Sequence, residues 1–528
     1  MVIGRREFLE RSALTGAAIL TGAGSSSAIA APPLDLKEAT VASLQSEMAA
    51  RRATSVQITQ AYLARIASVD KRINSMIEVN PDALAIAARC DAERKAGKVR
   101  GPLHGIPVVI KDNIDTADKM KTTAGSLSLT DAPTPPDAFI VGRLREAGAV
   151  ILGKTNLSEW ANFRDTSSIS GWSGRGGQTR NPYILDRNPC GSSSGSGAAI
   201  AANLAAIGIG TETDGSIVCP ASVCGIVGLK PTVGLVSRSG IIPIAASQDT
   251  AGPMTRTVTD AAVLLNILDA TDPTDPATTA AGKRRERRDY TAYLRADGLK
   301  GARIGVARDF WGKRKEVDEV MDRALATMQR AGAVLVDVKF PHLEKFGDAE
   351  FEVLLYEFKD GLEKYLRGRG ARHKTMDDLM KFNQENAPKE MPYFGQAIFA
   401  TAAKKGPLSS KPYRDAIETC RKYAREEGID EVMEKNKLAA IVAPSNAPTW
   451  LIDTVSGDCG SAYVGSSSMA AVAGYPNISV PAGFAKELPI GMSFFGKAWS
   501  EGTLLKLAFS FEQATNARRV PKYLPTYA

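Results

Sequence analysis

Short runs of apolar and β-branched residues alternate along the chain with longer stretches in which apolar residues recur every three or four positions. The first pattern predicts buried strands, and the second predicts amphipathic helices. Predicted strands are GIPVVIKDN (105–113), AVILGKTN (149–156), ARIGVARDF (302–310), AVLVDVKFP (333–341), AAIVAPS (439–445), NISVPAGF (477–484) and IGMSFFG (490–496).

Local signals mark where some of the helices begin and end. Residues 54–57 (TSVQ) have the pattern of a capping box and predict a helix through ITQAYLARIASV (58–69). Asn80-Pro81 predicts the start of the next helix, with proline in its first turn and Gly97 just beyond its end. Two further helices are predicted in AFIVGRLREAG (138–148) and VDEVMDRALATMQRAG (317–332).

This alternation predicts an α/β protein with a large mixed β-sheet covered by helices on both faces. The stretch 267–290 has the composition of an exposed connection and is one candidate domain boundary. The predicted strands before and after it read as parts of one sheet. We therefore expect a single domain over residues 31–528.

The first thirty residues have the layout of a signal peptide. Arg5-Arg6 precedes Phe8-Leu9, a mild apolar stretch runs from residue 13 to 23, and Ala28-Ile29-Ala30 offers a cleavage site. Paired arginines in this position are typical of the twin-arginine export route. We therefore predict an exported, periplasmic protein. No other segment approaches the roughly 20 apolar residues of a membrane span.

Charge and metal-ligand content exclude several classes of function. The formal net charge of +8 includes the basic run KRRERR (283–288), which has no interleaved aromatic residues, so no nucleic-acid partner is expected. The chain has three histidines, six cysteines without zinc-type spacing, and no HExxH motif. We expect no metal and no other cofactor. Disulfides are allowed but not implied, and the oligomeric state is not determined.

The segment PCGSSSGSG (189–197) allows several interpretations. A flexible linker is disfavoured because the apolar stretch AAIAANLAAIGIG follows it, and a phosphate loop would need Gly-Lys-Ser/Thr at its end. A nucleophile elbow centred on Ser193 fits G-x-S-x-G. That interpretation needs a downstream histidine, and only His342 and His373 are available, both in surface-like sequence.

A serine without a histidine needs another base, and a buried lysine can serve. Burial disfavours the ammonium form and lowers the pKa of the amine toward neutrality. Lys111 ends the apolar run GIPVVIK, so it is the candidate. Asp112 should point to the opposite face of the strand, because successive side chains alternate.

Three motifs together resemble the amidase signature family: KDN after the apolar strand, CGSSSGSG, and GTETDGSIVCPASVCGIVGLKPTVGLVSRSGIIP. The resemblance covers about residues 105–243 and continues more weakly to the C-terminus. Within the family, the loop and the segment 354–366 are most similar to bacterial peptide amidases. The resemblance implies a triad of Ser216 as nucleophile, Ser192 as bridging serine at a cis peptide bond, and Lys111 as base.

The resemblance also assigns supporting roles. It implies an oxyanion hole formed by the backbone of Thr213, Asp214, Gly215 and Ser216, with Ser193 as a supporting residue. Asp214 stands where the wider family usually has glycine, and its side chain is free to bind a polar or cationic group. Lys230 resembles a structural position. Three aromatic residues are candidates to line the acyl pocket: Phe163, Tyr356 and Trp450.

The function implied is hydrolysis of the C-terminal amide of peptide amides to the free acid and ammonia, with the small-molecule or peptide amide as the only partner. One alternative is an amidase for aryl, aliphatic or cyclic oligo-amides. Another is an assembly subunit like that of a tRNA-dependent amidotransferase, which the signal peptide disfavours. A catalytically inactive member is disfavoured because all three triad positions are present.

Overall fold

The computed structural model describes residues 34–281, 289–459 and 465–527. The predicted signal peptide (1–30) and the basic run 283–288 lie outside these residues. Within the described residues, no helix combines the length and the apolar character that a membrane crossing needs.

Eleven strands form one mixed sheet in the order β1-β3-β2-β6-β8-β7-β12-β13-β11-β9-β10, and β4 and β5 form a separate hairpin. The strands are β1 (Met76–Val79), β2 (Pro107–Lys111), β3 (Val150–Thr155), β4 (Trp172–Ser173), β5 (Gly177–Gln178), β6 (Ile207–Glu212), β7 (Val227–Lys230), β8 (Thr250–Thr255), β9 (Arg303–Ala307), β10 (Val334–Val338), β11 (Ala440–Pro444), β12 (Asn477–Ala485) and β13 (Leu488–Phe495).

Helices pack on the sheet and on one another. The α-helices are Val41–Ala49, Ser55–Ile73, Ala83–Lys95, Phe139–Glu146, Ser194–Ala201, Val218–Val223, Val258–Leu268, Pro276–Ala281, Lys315–Arg330, Gly347–Gly368, Met376–Glu385, Ala387–Glu390, Ala397–Ala403, Lys411–Cys420, Glu431–Asn436, Ser467–Ala473 and Glu501–Thr515. Single turns of 3₁₀-helix lie at Leu127–Leu129, Glu159–Asn162, Tyr290–Tyr293 and Arg308–Phe310, and a π-helical segment spans Arg421–Asp430.

The predicted α/β class and mixed sheet are confirmed, and all seven predicted strands are present. The capping box is confirmed as well: Thr54 accepts a hydrogen bond from the Gln57 backbone, and the Gln57 side chain accepts one from the Thr54 backbone. Strands that precede and follow residues 267–290 lie in the same sheet.

One helix start was predicted wrongly. The helix after Asn80-Pro81 begins at Ala83, two residues later than the proline suggested. The Asn80 side chain accepts a hydrogen bond from the Asp82 backbone at 2.9 Å, and the Asn80 carbonyl accepts one from Ala83 at 3.2 Å. These bonds form a turn before the helix, so the proline lies in the turn. Gly97 follows the helix end in a left-handed conformation (φ 76°), as predicted.

Strands β2 and β6 position the candidate site. They are parallel neighbours, paired from Val108 with Ile207 to Ile110 with Ile209. Every residue of both strands is buried. Because parallel strands end at the same edge of a sheet, the residues that end or follow β2 and β6 are brought together there.

Candidate active site

Lys111 is the last residue of β2, and its side chain is completely buried. Its Nζ donates to Ser192 Oγ at 2.7 Å, to Thr211 Oγ1 at 2.8 Å and to the Thr211 carbonyl at 3.2 Å. Burial, partly opposed by the charges of Asp249 and Glu212, lowers the pKa of Lys111 to about 7. A substantial fraction of this amine is therefore neutral at neutral pH and able to accept a proton.

Asp112 points away from the amine, as strand alternation predicts. Its carboxylate accepts a hydrogen bond from Thr123 Oγ1 at 2.5 Å and forms an ion pair with Arg175 at 3.5 Å. The neighbouring carboxylate in the sequence therefore does not hold Lys111 in the ammonium form.

The glycine–serine segment forms a tight loop followed by the buried helix Ser194–Ala201. The peptide bond between Gly191 and Ser192 is cis. A Cβ atom on Gly191 would lie 2.1 Å from Ser158 Oγ, so no larger residue fits there. The glycine therefore serves close packing around Ser192, and the segment is not a linker.

Two serines stabilise this loop through hydrogen bonds. Ser193 Oγ donates to the Thr211 carbonyl at 3.0 Å and accepts from the Thr211 backbone at 3.2 Å. Ser194 Oγ donates to the Cys190 carbonyl at 2.6 Å. The Ser193 hydroxyl is thus hydrogen-bonded to strand β6. These bonds hold the residue that follows Ser192 against the strand.

Ser216 lies in the turn that leads from β6 into the helix Val218–Val223. Its carbonyl accepts a hydrogen bond from the Ser193 backbone at 3.2 Å, so the nucleophile candidate and the glycine–serine loop are in direct contact. Glu212 fixes the end of this turn. Its Oε2 accepts hydrogen bonds from the backbone N–H groups of Ile217 at 2.7 Å and Val218 at 3.0 Å.

Among the described residues, the turn Thr213–Ser216 has unpaired backbone donors and lines a cavity. Gly215 has a φ of 78°, a conformation that favours glycine. Within the described part of the chain, none of the four backbone N–H groups of this turn donates a hydrogen bond to another residue. All four residues line a cavity of about 310 Å³, which we call the front cavity. Such unpaired donors can stabilise a developing oxyanion.

Four large apolar residues also line the front cavity: Phe163, Ile244, Leu354 and Trp450. Phe163 and Trp450 were predicted as lining residues, and both are there. Tyr356, the third candidate, packs against Tyr413 with ring centroids 5.7 Å apart and does not line the cavity.

Asp458 was not singled out in the sequence, and it orders the mouth of the front cavity. Its carboxylate accepts from Trp450 Nε1 at 3.0 Å, from the Ser170 backbone at 3.1 Å and from Asn188 Nδ2 at 3.2 Å. Trp450 is eight residues away in the chain, whereas Ser170 and Asn188 are 288 and 270 residues away. No local sequence signal could have grouped them.

A disulfide joins Cys190 to Cys219. It links the loop that carries Ser192 to the helix that follows Ser216. The sequence left the cysteine pairing open, including whether Cys219 pairs with the nearby Cys224. Cys224 is instead a buried cysteine outside the bridge.

The remaining lysine and histidine candidates make contacts outside the front cavity. Lys230 is buried and donates to the Tyr475 carbonyl at 2.8 Å, and burial lowers its pKa to about 8. His342 forms a contact with Glu427 at 3.2 Å. Neither histidine downstream of the glycine–serine loop lines the front cavity, so the nucleophile-elbow interpretation has no histidine partner.

Comparisons with known proteins identify the family and support the fold. A family model for amidases matches residues 57–505. The chain belongs to the amidase signature family. The fold agrees with that of a crystal structure of the peptide amidase PAM in complex with the competitive inhibitor chymostatin, which is 51% identical with a TM-score of 0.90 over 92% of this chain and 99% of that one.

Curated relatives point to the same chemistry. A probable amidase of Arabidopsis thaliana is 40% identical over 96% of each chain. A glutamyl-tRNA(Gln) amidotransferase subunit of Thermoanaerobacter pseudethanolicus is 34% identical over 93% of this chain and 99% of that protein. The protein is an amidase, a hydrolase that cleaves carbon–nitrogen bonds in amides.

Proposed function

We propose that this amidase is an exported enzyme that hydrolyses the C-terminal amide of peptide amides through a Ser216–Ser192–Lys111 relay. The observation that carries the proposal is the buried Lys111 amine, hydrogen-bonded at 2.7 Å to Ser192 Oγ beside the turn that carries Ser216. The 51% identity to a peptide amidase supports the choice of substrate.

In this mechanism the neutral Lys111 amine accepts the proton of Ser192 while Ser192 accepts that of Ser216. Ser216 Oγ then attacks the amide carbonyl, and a tetrahedral oxyanion forms. The N–H groups of Thr213–Ser216 stabilise it, a contribution of about 2.7–4 kcal/mol per donor in a studied serine hydrolase.

The relay then works in reverse. The ammonium of Lys111 returns a proton through Ser192 to the leaving nitrogen, the C–N bond breaks, and ammonia departs. Water repeats the cycle at the acyl-Ser216 ester and releases the free acid. The chemistry needs only water and groups that the chain itself supplies.

The shape of the site supports a peptide rather than a small amide. The front cavity meets a wider cleft of about 880 Å³, and Trp450 and Cys459 line both. A peptide whose amide lies at Ser216 can therefore extend past Trp450 into the cleft. A small aryl or aliphatic amide would leave the cleft unused.

The substrate is tested by ammonia release from amidated dipeptides, acetanilide, and an aliphatic amide, with products identified by mass spectrometry. We expect one ammonia per free-acid peptide and a kcat/KM for the dipeptide amide at least about tenfold above that for acetanilide, a difference of about 1.4 kcal/mol. Chymostatin should compete with the peptide amide. A preference for acetanilide or the aliphatic amide would support the first alternative instead.

The amidotransferase alternative has support in the 34% identity to such a subunit. It predicts glutamine hydrolysis that depends on additional subunits. Activity of the purified single chain on peptide amides, without activity on glutamine, would exclude it.

Export is proposed from residues 1–30 and is supported by the Cys190–Cys219 disulfide, because such bonds persist in oxidising compartments. Replacing Arg5 and Arg6 together by lysine should remove most amidase activity from the periplasmic fraction, whereas Arg11→Lys should not. N-terminal sequencing of the exported protein should begin near Ala31. Undiminished export of the double variant would point to a different route.

A further inference from the structure

The turn that carries Ser216 contributes one member, Asp214, to a pair of neighbouring carboxyl groups. Asp214 Oδ2 accepts a hydrogen bond from Ser468 Oγ at 2.6 Å, but its buried Oδ1 has no donor among the described residues. Glu350, in the first turn of the helix Gly347–Gly368, is 9% exposed and hydrogen-bonds Asp214. The carboxyl group whose Oδ1 lacks a donor is thus adjacent to a second carboxyl group.

Gln248 connects this pair to the backbone of the turn. Its Nε2 donates to Glu350 Oε1 at 2.9 Å and to the Thr213 carbonyl at 3.3 Å. The bonds run from Ser468 through Asp214, Glu350 and Gln248 to Thr213. They therefore connect two residues of the turn, Thr213 and Asp214, to the helix that carries Glu350.

Two ionised carboxylates in contact inside a protein repel each other strongly, so one proton remains between them. Burial and the charge of Asp214 raise the pKa of Glu350 well above its usual range. A protonated Glu350 supplies the donor that Asp214 Oδ1 lacks, which satisfies the buried acceptor.

We propose that Glu350 stays protonated at neutral pH and donates a hydrogen bond to Asp214. This acid pair positions the oxyanion-binding turn Thr213–Ser216. Glu350 is a positioning residue, because it acts on the reaction through Asp214 and Gln248. The inference rests on the proposed role of Ser216 but not on the identity of the amide, so any amide that the enzyme hydrolyses can be used to test it.

Other groups near the pair set the electrostatic background. Cys420, at the end of the helix Lys411–Cys420, lies near Glu350, and burial above all raises the pKa of that thiol, so it is uncharged at neutral pH. Lys230 and Glu212 act on Asp214 through their opposite charges. Among the described residues, none of these groups donates a hydrogen bond to Asp214 Oδ1. No other donor therefore takes the place of the Glu350 proton.

If the Asp214–Glu350 pair shares a proton, activity should fall at alkaline pH. When the shared proton leaves, two buried carboxylates repel each other and the turn shifts. Glu350→Gln keeps a donor toward Asp214 and an acceptor for Gln248 but cannot ionise. We expect this variant to retain at least about a third of the neutral-pH kcat, a change of under about 1 kcal/mol, and to lose the alkaline fall.

Glu350→Leu removes the donor altogether. We expect kcat to fall about 10- to 100-fold with KM changed less than about threefold, because a displacement near 1 Å in a catalytic site can cost about 10²-fold. Glu352→Leu is the matched control. Glu352 lies on the same helix and pairs with Lys405 away from the turn, so kcat and its pH profile should stay unchanged.

The measurement is kcat and KM from pH 6 to pH 10 for the three variants, with circular dichroism to verify folding. An alkaline fall that persists unchanged in Glu350→Gln would overturn the proposal, as would a folded Glu350→Leu enzyme with normal kcat. If Glu350→Leu does not fold, the pH profile of kcat in Glu350→Gln still tests the proposal. A fully active Ser216→Ala enzyme would instead refute the underlying relay.

Discussion

Replacing Ser216 by alanine is expected to abolish amide hydrolysis, with kcat lowered by at least about 10⁴-fold, because the relay has no other nucleophile to form the acyl-enzyme. Residual activity above the uncatalysed rate should remain, since the backbone donors of Thr213–Ser216 are intact. Ammonia release under saturating substrate checks the prediction.

Ser222→Ala is a suitable control for this substitution. Ser222 lies in the helix that follows Ser216, is also buried, and accepts a hydrogen bond from the Gly491 backbone at 2.9 Å. Its loss should lower the free energy of unfolding by about 1 kcal/mol and leave kcat near the wild-type value. A Ser216→Ala enzyme with more than about a tenth of wild-type activity would exclude Ser216 as the nucleophile.

Replacing Lys111 by alanine is expected to lower kcat/KM by about 10²–10⁴-fold at neutral pH, the usual range for loss of a general base. The wild-type kcat/KM should rise with pH through about 7, because only the neutral amine can accept a proton and burial sets its pKa there. The variant should lose this rise, and hydroxide should restore part of its activity at high pH.

Lys154→Met is the matched control for that experiment. Lys154 is a second fully buried lysine, on the neighbouring strand β3, and burial lowers its pKa to about 8. Its Nζ donates to Thr122 Oγ1 at 2.8 Å, outside the front cavity. The rise in kcat/KM near pH 7 should persist in Lys154→Met. Full activity of Lys111→Ala at neutral pH would refute the proposed base.

Local patterns in the sequence were sufficient for most of the fold. The strands predicted near Lys111 and the helix opened by Thr54 depend on periodicity and capping, which involve residues close together in the chain. The start predicted at Pro81 failed because the Asn80 side chain forms a competing turn, a choice between two local hydrogen-bond patterns that composition does not resolve.

The site could be predicted only in part. Motif spacing pointed to the region of Lys111 and Ser192, but not to Thr211, which supplies the other two acceptors of the amine from 100 residues away. The Cys190–Cys219 bridge was equally undetermined, because six cysteines allow many pairings.

Seven of the strands, the helices marked by periodicity or capping, the amidase signature, and the chemical types of its side chains can be read from the amino-acid order. The folded arrangement was needed to show that the Lys111 amine is fully enclosed, that the turn around Gly215 lines a cavity, and that Asp214 lies next to Glu350. The reason is that solvation and charge interactions depend on distance in space. A carboxyl or an amine has its ordinary pKa in an open chain and changes it only when folding removes water and brings distant groups together.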